Sequence, residues 1–127
     1  MAAVSKKRID DETVITDGLI GQIQGHKVIL LDDEIAVGTS MINAIKLLRT
    51  YGVTEVTLVC AHGIFCGPAI KNLQATPEVK EIVTTDTVPI PPEKRIPCMR
   101  ILSVAPLFAD AIRRIHAGES MQPLFDY

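Results

Sequence analysis

The chain has 127 residues, of which 47% are apolar, 22% charged and 4% aromatic. That length suits one domain, and that composition suits a packed core and excludes a disordered tail. Thirteen Lys and Arg against fifteen Asp and Glu leave a net charge of −2, and two Tyr, three Phe and no Trp give few stacking platforms. Both features argue against a nucleic-acid or anionic-membrane surface. No apolar run reaches the roughly 18 residues of a membrane span, and the first ten residues lack the apolar stretch of a signal peptide. The three cysteines Cys60, Cys66 and Cys98 have no C-x-x-C spacing. They read as thiols of a reduced, intracellular protein, with neither a disulfide framework nor a zinc site.

The segment 1–10, MAAVSKKRID, is polar and basic and reads as a mobile arm. Residues 11–25 read as short strands or a hairpin, with Val14 and Ile15 in a β-branched run and Gly18, Gly21 and Gly25 as breaks. Val28-Ile29-Leu30-Leu31 is an unbroken apolar run, as in a strand buried on both faces of a parallel sheet. Over 39–51, Met41, Ala44, Ile45 and Leu48 recur at helical spacing. Thr39 or Ser40 is the expected N-cap oxygen and Gly52 the stop. Residues 55–60 predict the next strand. Gly67 and Pro68 open a second helix carrying Ala69, Ile70 and Leu73. Residues 81–85 predict a third strand. Four prolines between 86 and 97 demand a rigid loop, and 99–104 predict a fourth strand. Residues 106–117 form a last helix, with Leu107, Phe108, Ala111, Ile112 and Ile115 on one face and Gly118 at its end. The tail is loose, with Leu124 and Phe125 as its anchors. The order is α/β with a mainly parallel sheet.

The stretch VILLDDEIAVGTS, 28–40, is the most informative. Two carboxylates end a buried strand, and a loop with Gly38, Thr39 and Ser40 enters a helix. Ligands of open α/β sheets bind beyond the carboxyl ends of strands. A helix N-terminus suits phosphate, and adjacent carboxylates suit sugar hydroxyls or a hydrated Mg²⁺. A sugar-phosphate site and an ordinary acidic strand end with a helix cap both fit this pattern. The loop is neither a P-loop nor a G-x-G-x-x-G turn.

Asp32-Asp33-Glu34-Ile35-Ala36-Val37-Gly38-Thr39-Ser40 resembles the phosphoribosyl pyrophosphate loop of the phosphoribosyltransferase fold. Other segments resemble, in order, those of ribose-phosphate pyrophosphokinases. They are Val4-Ser5-Lys6-Lys7-Arg8, His62-Gly63-Ile64-Phe65-Cys66-Gly67-Pro68-Ala69, Val83-Thr84-Thr85-Asp86-Thr87-Val88-Pro89, the run 102–116, and the ends Gly118-Glu119-Ser120 and Leu124-Phe125-Asp126. The resemblance implies a three-layer α/β sandwich truncated on its N-terminal side. Residues 1–10 would be a catalytic flexible-loop remnant and 11–127 a partial C-terminal domain. It further implies transfer of diphosphate from ATP to ribose 5-phosphate, with Mg²⁺, in a cytoplasmic homo-oligomer serving nucleotide biosynthesis. The chain alone would be inactive. Lys6 and Arg8 would be the catalytic cations. Asp32, Asp33, Ala36, Val37, Gly38, Thr39 and Ser40 would hold ribose 5-phosphate, with Asp32 and Asp33 as indirect metal contacts. Ala36, Val37 and Thr39 depart from the family's usual loop, and weaker phosphate binding is expected from them. The alternative is a non-catalytic regulatory homologue that binds phosphorylated ribose or a synthetase subunit. His62 reads as structural or substrate-proximal, Cys60 as a core residue, and Arg113 and Arg114 as a solvated face.

Overall fold

The structure, a computed structural model, describes residues 3–8, 14–20, 23 and 25–126. Its main sheet has four parallel strands in the order β3 (Lys27–Ile35), β4 (Glu55–Gly63), β5 (Val79–Thr85), β6 (Met99–Leu102). Helices α1 (Thr39–Thr50) and α2 (Ala69–Gln74) connect β3 to β4 and β4 to β5, and α3 (Ala105–Ala117) follows β6. Short 3₁₀ turns occupy Pro92–Lys94 and Gln122–Leu124. A parallel α/β arrangement is what the element order predicts.

Ahead of the main sheet, β1 (Ala3–Arg8) and β2 (Val14–Ile20) form a separate antiparallel ribbon. The expected arm over 1–10 thus contains a strand, and the hairpin expected within 11–25 instead uses 3–8 as its second strand. Residues 1, 2, 9 and 10 of that arm lie outside the described residues.

The core lies between the sheet and α1 and α2. Met41, Ile45 and Leu48 of α1 and Ala69 and Leu73 of α2 meet Val56, Leu58 and Cys60 of β4 and Ile82 of β5. The α1 residues are those that helical periodicity selects. Tyr51 and Gly52 close α1, with the Gly52 N–H on Arg49 O and the Val53 N–H on Leu48 O. Gly52 takes φ 83°, which a side chain would strain. Inside the proline-rich loop Ile90 turns into the core, and Arg95 Nε holds its carbonyl at 3.0 Å.

Two expectations need correction. β3 is not buried on both faces. It is an edge strand, with Val28 and Leu30 against the core while Ile29 and Leu31 are 74% and 73% exposed. α3 has the expected apolar stripe, yet none of its residues is buried. Among the described residues, core packing covers one face of the sheet, so the implied third layer is not seen. Phe125, an expected anchor of the tail, is also exposed.

Arg49 at the end of α1 reaches Glu78 ahead of β5 through a two-pronged pair, with Nη2 to Oε2 at 2.9 Å. The same Glu78 receives the Val56 N–H on its carbonyl at 2.7 Å. The guanidinium hydrogen bond holds the Glu78 carboxyl below the usual carboxylate range. A lowered carboxyl pKa stabilises the fold above the unfolded-chain value, about 4.3, and that stability is lost as pH falls through the folded value. Glu78→Gln should therefore lower the melting temperature at pH 7, and the difference from the parent should close as the pH is taken toward 3. Thermal melts across that range check it. The uncovered apolar side chains should also bind anilinonaphthalene sulfonate in the folded chain, and Ile29→Lys with Leu31→Lys should reduce that fluorescence without lowering the melting temperature.

Candidate functional site

β3 does not stop at Leu31. Its ladder with β4 continues, Asp32 beside Cys60, Glu34 beside His62 and Ile35 beside Gly63. Asp32 and Asp33 therefore lie within a strand, where successive side chains alternate in direction. Asp32 shares the helix-covered side with Cys60, and Asp33 takes the open side. Each carboxylate also turns back on the chain, with the Asp33 N–H on Asp32 Oδ1 at 3.1 Å and the Glu34 N–H on Asp33 Oδ1 at 2.8 Å. A ligand held by both acids would have to sit beyond the strand end and not over one face.

The next residues turn the chain into α1. Gly38 takes φ 82° at the N-cap position and its carbonyl accepts the Ile42 N–H at 3.0 Å. The expected cap from Thr39 or Ser40 is not made. Both are the first residues inside the helix, and no side-chain oxygen caps it. The first-turn N–H groups thus have no side-chain cap, at the positive end of the helix dipole. Ala36 is half-buried, and Val37 is exposed at the crest of the loop.

A second segment is stitched onto this loop. The Ile35 carbonyl accepts N–H groups from Ile64 and Phe65 at 3.1 and 3.0 Å, and the Ala36 carbonyl accepts from Cys66 at 2.8 Å. Phe65 adopts φ 48°, which is uncommon for a bulky residue, and its ring is wholly buried. Core burial of the ring thus offsets the backbone strain and fixes the path from β4 to α2.

His62 lies where β4 passes this junction. Its Nδ1 is 2.9 Å from Thr87 Oγ1. Thr85 and Thr87 both reach the Ala61 carbonyl, at 2.7 and 2.9 Å, and lie 2.8 Å from each other. Just between them in sequence, Asp86 Oδ1 accepts the Val104 N–H at 2.8 Å, ahead of α3. Hydrogen bonds from Ser103 and Val104 hold the Asp86 carboxyl below the usual range. Sequence reasoning singled out His62 but missed Thr85 and Thr87, whose partners are 24 and 26 residues away. Thr85 ends β5 and Thr87 lies just beyond it, and no local pattern links either to Ala61 or His62.

Other candidates resolve simply. Cys60 is buried, and burial pushes its thiol pKa up, as befits an inert core residue. Arg113 and Arg114 are tied to Asp110 and Glu119 in a surface ion network. Lys6 and Arg8 lie in β1, opposite Thr16 and Val14, and their side chains lie outside what is described. Among the described residues no three His, Cys, Asp or Glu side chains converge as a metal-ligand set, and none of the described helices is long and apolar enough to cross a membrane.

A sequence profile of the phosphoribosyl synthetase-associated domain matches residues 6–126. The chain belongs to this family. A Streptomyces coelicolor protein is 44% identical over 126 residues, covering 99% of this chain and 40% of its own length. A ribose-phosphate pyrophosphokinase of Caldanaerobacter subterraneus is 41% identical over 125 residues, 98% of this chain and 39% of its own. The crystal structure of phosphoribosylpyrophosphate synthetase from Mycobacterium smegmatis matches with a TM-score of 0.73 and 36% identity, over 79% of this chain and 33% of that one. The family's relatives are thus ribose-phosphate pyrophosphokinases, and the chain spans about 40% of the length of the curated relatives it matches.

Gly63 is the tightest point of the site. A Cβ there would lie 2.4 Å from Phe65 Cε2 and 2.8 Å from Thr84 Oγ1, both on buried residues. Gly63→Ala should cost about 1–3 kcal/mol of stability through overpacking. Urea unfolding should show the loss as a lower midpoint at unchanged slope.

Proposed function

We propose that this chain is the ribose 5-phosphate-binding, C-terminal part of a ribose-phosphate pyrophosphokinase. The intact enzyme moves the β,γ-diphosphoryl group of ATP to the 1-hydroxyl of ribose 5-phosphate, giving phosphoribosyl pyrophosphate and AMP for nucleotide biosynthesis. One observation carries the reading. The acids Asp32 and Asp33 stand seven and six residues before Thr39, the first residue of α1, and the carbonyls of Ile35 and Ala36 in between are pinned by the segment 64–66 that follows β4. Sugar hydroxyls would donate to the acids, and the 5-phosphate would accept from the N–H groups of 36–40 and the hydroxyls of Thr39 and Ser40. The placement as a C-terminal part is supported by the resemblance of 102–116 and 118–126 to the family's terminal segments.

Lys6 and Arg8 would stabilise the charge of the transferring group, since phosphoryl-type transfer is chiefly positioning and electrostatics. Mg²⁺ would supply charge neutralisation on the ATP phosphates. Asp32 and Asp33 would meet it through water, as adjacent carboxylates hold a hydrated Mg²⁺. The working form would be a cytoplasmic homo-oligomer with the remaining domains present, and the 127-residue chain alone would not turn over.

A second reading, a non-catalytic homologue that keeps the sugar-phosphate site, is favoured by Val37, which brings an exposed apolar side chain and no side-chain donor to the loop. AMP release by the intact protein separates the two. For the site itself, calorimetric titration with ribose 5-phosphate should show binding, and Asp33→Asn should weaken it by about tenfold, as for loss of a hydrogen bond to a charged group. Absence of binding at millimolar ligand overturns the proposal.

A further inference from the structure

The hydroxyl cluster beside His62 fixes where that imidazole carries its proton. Four contacts join the Ala61 carbonyl, Thr85 Oγ1, Thr87 Oγ1 and His62 Nδ1, each at 2.9 Å or less. The Ala61 carbonyl can only accept, and each threonine hydroxyl has one proton to give. If His62 Nδ1 were unprotonated, two protons would serve four contacts, and two of the contacts would face each other with lone pairs alone. If Nδ1 carries a proton, three protons serve the four. Thr87 then spends its own proton on Ala61 or Thr85 and accepts from His62. Its oxygen is therefore an acceptor toward the ring, and the neutral imidazole is held as the Nδ1–H form. The lone pair is left on Nε2 of this exposed residue.

Position completes the argument. His62 is the register partner of Glu34, two residues along each strand from the Asp32–Cys60 pair, and both His62 and Glu34 are exposed. It precedes the segment 64–66 whose N–H groups hold the Ile35 and Ala36 carbonyls. The ring is therefore rigidly related to the strand-end acids and to the loop entering α1.

We propose that His62 is a substrate-binding residue whose Nε2 accepts a hydrogen bond from a hydroxyl of the bound sugar phosphate, and that Thr87 is the positioning residue that fixes its tautomer. This rests on the sugar-phosphate reading above. The site thereby gains a neutral acceptor among carboxylates, which adds no further negative charge beside a phosphate.

The test has two arms, both on the full chain at pH 8. Long-range ¹H–¹⁵N spectra of the imidazole should show His62 as Nδ1–H, and Thr87→Val should release it toward the Nε2–H form. An Nε2–H ring in the parent overturns the proposal whatever the ligand does. In the second arm, ribose 5-phosphate and inorganic phosphate are each titrated calorimetrically. His62→Phe should weaken ribose 5-phosphate by about fivefold to tenfold, the size of one neutral hydrogen bond, and leave inorganic phosphate unchanged. His62→Gln, whose carbonyl oxygen replaces Nε2, should recover most of the loss. Equal weakening of both ligands means a structural role and overturns the proposal. So does unchanged ribose 5-phosphate binding in His62→Phe, which leaves the sugar-phosphate reading standing. Failure of the parent chain to bind ribose 5-phosphate removes that reading and this proposal with it.

Discussion

The candidate site depends on the β3–β4 ladder continuing past the core. Strand pairing normally ends where the sheet ends, and the chain then loops freely. Here Ile35 and Ala36 carry the pairing onward by accepting three N–H groups from Ile64, Phe65 and Cys66. Two crossing segments become one backbone unit. The acids of β3, the turn at Gly38 and the ring of His62 take their places from it. Preorganisation of this kind lowers the ordering cost of binding, because groups on paired strands need not be gathered when ligand arrives.

That junction is itself held from below. Phe65 can keep its unusual backbone only because its ring fills the core, and it fills the core only because Gly63 has no Cβ to obstruct it. The loops at the same end are tied in by polar groups. Asp86 binds the chain before α3, and Thr85 and Thr87 bind Ala61 on the neighbouring strand. At the opposite end, Arg49 and Glu78 join the end of α1 to the entrance of β5. The apolar layer between carries the cohesion, and the polar ties set the register of what lies above it.

Much of this was legible in the sequence, and the reason is local. Met41, Ala44, Ile45 and Leu48 declare their face by period, and Gly52 and Gly118 declare helix ends by being able to adopt positive φ. Asp32 and Asp33 interrupt the apolar run because carboxylates do not belong in a core, but the strand itself runs on to Ile35. The N-cap falls one residue earlier than the capping preference of Thr39 and Ser40 suggests, because Gly38, in the left-handed region, already makes the turn. The threonine cluster was illegible because its partners are far apart in sequence, and side-chain hydrogen bonds across parallel strands leave no periodic trace.

The largest mismatch has a different origin. An unbroken apolar run such as Val28 to Leu31 reports burial on both faces, and the stripe along α3 reports burial on one. In the described residues Ile29, Leu31, Phe108, Ile112 and Ile115 are all more than half exposed. An amphipathic signal records the environment in which a residue type is stable, and that environment need not be supplied by the same stretch of chain. Helices α1 and α2 supply it for one face of the sheet. Nothing in the period of a strand says which segment supplies the other. Periodicity therefore predicts that a face is apolar with good fidelity, but its burial is a property of the whole assembly of elements, and here the described elements cover only half of what the pattern asks for.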